Sequence, residues 1–327
     1  MSPGWEDVDA SALVGIVRDF LDAHGRLRAA AQAHRHGALG FAEIQRLVGD
    51  DEESVLFRLK ERSHALFRER GLAASGAIGP EALFDLAVGA LFHEAMKFRE
   101  NFYQRDVYGP KVRALREAAL PDAAELLDEF ERILAGADER LAESLREVEA
   151  LLTQMMRPFQ ALLRAHAGNG FVARFMTSRV AAVEEVFGAP LDAVLEAIHG
   201  SAGLGWARAG LSHLQSGFFA EAIPPLDAAG QRGEQPATMA RLGHYARGMK
   251  AYLEGRFADA IRELSAWVDA GPGDDEAAFV ELALSVLSRV GSLVEPDAQG
   301  ELAQRAAELT RRLRAGEASR TPRAAAG

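Results

Sequence analysis

Apolar residues recur at helical intervals along almost the whole chain, and no run alternates with the two-residue period of a strand. The pattern predicts an all-α protein. Leu13, Ile16, Val17, Phe20 and Leu21 share one face of a helix over 11–24, with Ser11 as its N-cap. Phe41, Ile44, Leu47 and Val48 mark a short helix ended by Gly49. Asp50 and Glu53 have nearly the spacing of a capping box, so the next helix is expected from Asp50 to Arg70, stopping at Gly71. Residues 72–79 are small and glycine-rich and read as a linker. Pro80 opens a long helix to Tyr103, since proline suits a first helical turn. Tyr108-Gly109-Pro110 reads as a turn.

The most regular stretch is 122–166. Leu141, Leu145, Val148, Leu152, Met155, Phe159 and Leu162 alternate steps of four and three, which is a heptad stripe. Leu127, Phe130 and Leu134 lie on a preceding helix, separated from it by Gly136. The pair is expected to form a helical hairpin or short coiled coil, with the 138–166 stripe available for a homodimer. Pro158 should kink the second helix, because it lacks a backbone donor and its ring crowds the turn before it. From 171 onward short helices alternate with short turns. Residues 315–327 read as a disordered tail.

Two of the later segments echo each other. Gly217-Phe218-Phe219-Ala220-Glu221-Ala222-Ile223 returns as Gly255-Arg256-Phe257-Ala258-Asp259-Ala260-Ile261, and each has a second glycine upstream, Gly210 and Gly248. Trp206, Gly210, Gly217, Phe219, Ala222, Ile223 and Leu226 in one copy, and Gly248, Tyr252, Gly255, Phe257, Ala260, Ile261, Leu264 and Pro272 in the other, resemble the tetratricopeptide repeat, a two-helix unit. A weaker copy begins at Gly188-Ala189-Pro190-Leu191, and residues 274–314 make a further helix pair that suits a terminal cap. The resemblance implies an α-solenoid whose groove grips a peptide or an amphipathic helix. On that face it places Leu204, Ala207, Leu211, Leu214, Leu242, Tyr245, Met249 and Tyr252, either open to a partner or filled by the chain's own N-terminal helices. The organisation expected is a small helical domain (1–75), a long-helix hairpin or bundle (80–170), repeats with a cap (171–314) and the tail.

Residues 38–63 are similar to the helix-turn-helix of winged-helix regulators, a short helix, a glycine turn and a second amphipathic helix. A recognition helix presents its N-terminal residues to base edges. Here they are Asp50, Asp51, Glu52 and Glu53, which phosphates repel, while Arg58, Lys60 and Arg62 lie beyond them. Three ordinary packed helices are the better reading. The segment Phe98–Tyr108 mixes aromatic and charged residues, a composition enriched at interfaces, though a helix end with one buried face explains it as well.

Composition narrows the functional classes. The formal net charge of -11 argues against a general nucleic-acid binder. With no cysteine there are no disulfides, thiolate metal sites or cysteine nucleophiles, which fits a reducing, cytoplasmic setting. No apolar run approaches the roughly 20 residues of a membrane span. His93-Glu94 has no second histidine at zinc-site spacing, His34 and His36 face different directions on a helix, and no phosphate loop, dinucleotide fingerprint or nucleophile elbow occurs. The expectation is a non-enzymatic adaptor without metal or cofactor, with a helix-turn-helix regulator as the alternative.

Overall fold

The computed structural model describes residues 8–71, 79–118, 123–273, 275–293 and 299–320. Residues 72–78 of the expected linker and 321–327 of the expected tail lie outside these. Among the described residues the regular structure is helical throughout. In chain order the helices are α1 (Val8–Arg35), α2 (Phe41–Leu47), α3 (Val55–Gly71), α4 (Pro80–Phe102), a π-helical segment (Tyr103–Tyr108), α5 (Gly109–Glu117), α6 (Ala124–Leu134), α7 (Ala137–Gln154) and α8 (Met156–Ala165). They continue as α9 (Gly170–Ser178), α10 (Val180–Phe187), α11 (Leu191–His199), α12 (Ala202–Gln215), α13 (Phe219–Gln231), α14 (Pro236–Leu253), α15 (Phe257–Asp269), α16 (Ala277–Leu293) and α17 (Gln299–Arg320).

Several boundaries differ from the sequence reading. The first helix runs on to Arg35 because Leu27, Ala30 and Ala31 prolong its buried face. The third begins at Val55 rather than Asp50. Ser54 stands at its start, its Oγ accepting from the Phe57 amide at 3.4 Å and donating to the Leu47 carbonyl at 3.0 Å. Asp50 instead pairs with Arg99 at 3.0 Å. The chain does not turn at Tyr108-Gly109-Pro110. Both Tyr108 and Gly109 have helical backbone angles, and the Gly109 amide reaches back five residues to the Gln104 carbonyl. The wider π turn relieves the clash that a proline ring makes with an α-helical carbonyl four residues earlier. Helix α17 persists to Arg320, so 315–320 are not part of a tail.

The described chain divides into two compact units, Asp7–Ala167 with Arg179–Pro190, and Gly168–Ser178 with the chain from Leu191 onward. Residues 72–79 therefore do not separate domains. In the first unit α3 packs on α4 and on α1, and α4 packs on α7 and α8. One core spans both sides of the expected boundary: Phe20 of α1 stacks on Phe159 of α8 with ring centres 4.0 Å apart, and Phe84 of α4 lies 5.9 Å from Phe159. The heptad stripe feeds the same core. All seven of its residues are buried, so it is not a free face for a second copy. The hairpin takes a different form as well, since α7 packs chiefly on α4 while α6 packs on α5. Pro158 acts as expected: α7 ends at Gln154 and α8 restarts at Met156.

In the second unit α12 pairs with α13, α14 with α15, and α16 with α17, while α9 and α11 flank α12. Helices α12 and α14 approach their partners at glycines. A Cβ on Gly210 would stand 2.8 Å from Leu226, and a Cβ on Gly248 would stand 2.8 Å from Leu264. Both leucines are fully buried. Gly210→Ala and Gly248→Ala are each expected to destabilise by about 1–3 kcal/mol through overpacking, despite the better helix propensity of alanine. Gly89, also helical, has nothing within 4 Å of the same position. Gly89→Ala should stabilise by up to about 1 kcal/mol. Urea unfolding of the three variants checks this, and equal midpoints for all three would remove the glycine–leucine interlock as a source of stability.

Candidate functional site

The two echoed hairpins repeat the same turn 38 residues apart. Gly217 and Gly255 both take the left-handed conformation, with φ of 76° and 74°. The Gly217 amide donates to the Leu214 carbonyl at 3.0 Å, and that of Gly255 to Tyr252 at 3.0 Å. One residue on, the Phe218 and Arg256 amides donate to His213 and Ala251, both at 2.9 Å. Ala222 and Ala260 are fully buried. Phe219 is buried, while Phe257 and Pro272 are half-buried. The indole of half-buried Trp206 donates to Asp192 at 2.8 Å, and Arg232 lies over its ring and pairs with the same carboxylate. The Arg232 guanidinium, with that indole N–H, holds the Asp192 carboxyl below its usual range. The weaker copy differs: α10 belongs to the first unit and α11 to the second, so it forms no repeat hairpin in either.

Most of the expected groove is not a surface. Ala207, Leu214, Leu242, Tyr245 and Met249 are buried in the unit's own core. Tyr245 is 0% exposed, with Trp267 and Phe279 each 5.0 Å from its ring centre and Phe219 edge-on at 6.0 Å. Side chains from α13, α15 and α16 thus close over the face that a partner was expected to fill. Beside this cluster Glu276, itself buried, accepts from the Trp267 indole at 3.2 Å and pairs with Arg241, which also donates to the Gly271 carbonyl at 2.6 Å. The Tyr245 hydroxyl is buried without a hydrogen-bond partner. Burial, and then the Glu276 charge, push its pKa up, so the phenol stays neutral.

Leu204, Leu211 and Tyr252 remain partly open. Leu204 and Leu211 are seven residues apart on α12 and so share a face. Next to Tyr252 the structure adds a residue that the sequence reading passed over, Leu253, which is 67% exposed at the end of α14. Phe218, part of the echoed segment but not of the expected groove, is 49% exposed just before α13. Each is a large apolar side chain at a helix end, the one sequence signal that could have flagged them.

The other candidate motifs are engaged internally. Asp19 of α1 is 0% exposed and draws three arginines: Arg62 at 2.6 Å, Arg18 at 3.3 Å and Arg58 at 3.6 Å. Arg58 also donates to the carbonyls of Glu52 and Glu53. Two of the cations that a DNA-binding reading would place on a backbone are therefore tied to α1, and the carboxylates 50–53 remain. In the aromatic segment Phe98 and Phe102 are buried. Tyr103 meets Phe41 edge-on at 4.6 Å and donates to Gln45 at 3.1 Å, fastening the π segment to α2. Glu94 pairs with Lys97 at 2.6 Å.

Three histidines carry a pH dependence. Nδ1 of His24, His34 and His213 is buried without a partner. Burial, and then the nearby charges of Arg28, Arg105 and Arg174 respectively, lower their pKa values from 6.5. The unfolded chain binds protons first, so this stability is complete above about pH 6.5 and is lost as pH falls below it. Unfolding midpoints at pH 5.5 should lie below those at 7.5, and His24→Gln or His213→Gln should each shrink the difference. A midpoint that rises on acidification would contradict this.

No described helix is long and apolar enough to cross a membrane. Protein-family models, curated proteins and solved structures give no match to this chain.

Proposed function

We propose that this chain is a protein-interaction adaptor, with tetratricopeptide-like repeats at α12–α15 that bind a peptide or an amphipathic helix. The observation that carries this reading is the 38-residue recurrence of one hairpin, with the same glycine–leucine approach, left-handed glycine and turn hydrogen bonds. Stacked units of this kind use their glycines and alanines for packing and leave one edge of side chains for a ligand. The edge is narrower than the sequence suggests. It consists of Leu204, Leu211 and Tyr252, with Leu253 added. Burying one such side chain contributes about 1.5–3 kcal/mol, so one or two of them account for micromolar recognition only with help from surrounding polar contacts.

The test is affinity capture from source lysate with the intact chain, the Tyr252→Ser/Leu253→Glu variant and an Arg113→Gln control. Partners retained by wild type and control but lost from a double variant that stays folded at the assay temperature are the expected result. Equal capture by all three would remove the repeats as the binding element.

A further inference from the structure

Helix α6 carries a ridge of large apolar side chains that stay largely exposed among the described residues. Leu126, Phe130 and Ile133 are spaced i, i+4, i+7 and so line one face. They are 59%, 41% and 47% exposed. Leu127, on a different face, is buried. The helix packs mainly on α5, to which Arg116 clamps it by pairing with Asp128 and Glu131. Leu115 of α5 is also exposed, at 44%. Three large side chains in a row on an 11-residue helix form a patch of the kind that marks an interaction site.

The charges around the ridge select its occupant. Over described residues 116–134 five carboxylates (Glu117, Glu125, Asp128, Glu129 and Glu131) face two arginines, Arg116 and Arg132. Both arginines are already paired within the hairpin, Arg132 with Glu129. Glu125 and Glu129 follow the ridge along one side of α6, with Glu129 shared with Arg132. An anionic lipid surface is repelled by this rim. A second copy on the ridge would set another five carboxylates against two arginines beside the first set. It would also bury far less than the 1,200–2,000 Å² of a stable protein interface through these side chains. A cationic helix brings the opposite sign to the rim, and a transient peptide contact does not need the area of a stable dimer.

We propose that α6 is a docking face for a basic amphipathic helix. Such a helix presents apolar residues at i, i+3 or i+4 and i+7 to Leu126, Phe130 and Ile133, and lysines or arginines to Glu125 and Glu129. This face is independent of the repeat edge and stands whether or not the repeats bind anything.

The experiment uses the full chain and a short fluorescent Leu/Lys peptide with one apolar face, read by anisotropy. Two control peptides carry the same residues scrambled around the helix, or glutamate in place of lysine. Binding is expected for the first peptide alone. Phe130→Gln and, independently, Leu126→Gln should weaken it by about tenfold or more, with the circular dichroism spectrum unchanged. Glu125→Gln/Glu129→Gln should weaken it and flatten its salt dependence. The proposal is overturned by no binding, by equal binding of the scrambled peptide, or by binding that survives both ridge variants. A dimer in sedimentation that Phe130→Gln dissolves would equally overturn it, by assigning the ridge to a second copy.

Discussion

Tyr245→Ala is expected to destabilise the repeat unit by about 3–5 kcal/mol, the cost of deleting a large aromatic from a closed core. The ring touches Phe219, Trp267 and Phe279, which come from three different helices. Their shared cavity cannot collapse without moving all three. Tyr245→Phe should behave in the opposite way. The hydroxyl is buried without a partner, so its removal relieves a desolvation cost of about 1–3 kcal/mol and leaves packing intact. Tyr252→Ala, at a partly open position, should cost clearly less than Tyr245→Ala. Urea unfolding of the three variants separates the outcomes. An unchanged midpoint for Tyr245→Ala would mean that the groove is open after all, and would restore Tyr245 as a binding residue.

The second large effect lies in the other unit. Asp19→Ala removes a fully buried carboxylate that holds Arg62, Arg18 and Arg58. Breaking a fully buried pair costs about 3–5 kcal/mol, because a charge is stranded. Here the arginine side chains keep between 26% and 45% of their exposure, so water recovers part of the loss. The expected cost is about 2–3 kcal/mol. Asp22→Asn, exposed one turn away, should change stability by less than about 0.5 kcal/mol. Guanidinium unfolding at low and moderate salt checks both. A neutral Asp19→Ala would mean that apolar contacts alone fix α3 on α1.

Where the sequence was legible, a physical period made it so. The heptad stripe from Leu141 to Leu162 predicted one continuous buried face and found it, broken at Met155–Met156, close to where Pro158 forced a break. The glycine echo predicted two like hairpins, and their turns share the left-handed glycine and the same two hydrogen bonds after it. The partner of each face was less legible. Apolar positions at 207, 214, 242, 245 and 249 look the same whether they await a ligand or meet Phe219, Trp267 and Phe279. The stripe likewise gave no sign that it would pair with α4 rather than with α6. Local rules failed where tertiary context won. Gly109-Pro110 carries a turn signature, yet a π segment let the helix pass. Asp50 has the chemistry of an N-cap, yet Arg99 drew it away. In the α6 ridge the apolar spacing was readable, with Phe130 noted beside Leu127, but the difference in their exposure depends on which neighbour α6 leans against.

The π segment also acts as a rotational setting. Each added residue turns an α-helix by about 100°. Without the extra residue accommodated between Tyr103 and Tyr108, α5 would leave α4 rotated by roughly that angle, and α6, clamped to α5 by Arg116, would swing with it. Deleting a single residue there would narrow the wide turn, press the Pro110 ring on the carbonyl four residues earlier, and re-aim Leu126, Phe130 and Ile133 without touching them. The direction in which this arm points is thus encoded by a residue count and by no side chain of the arm itself.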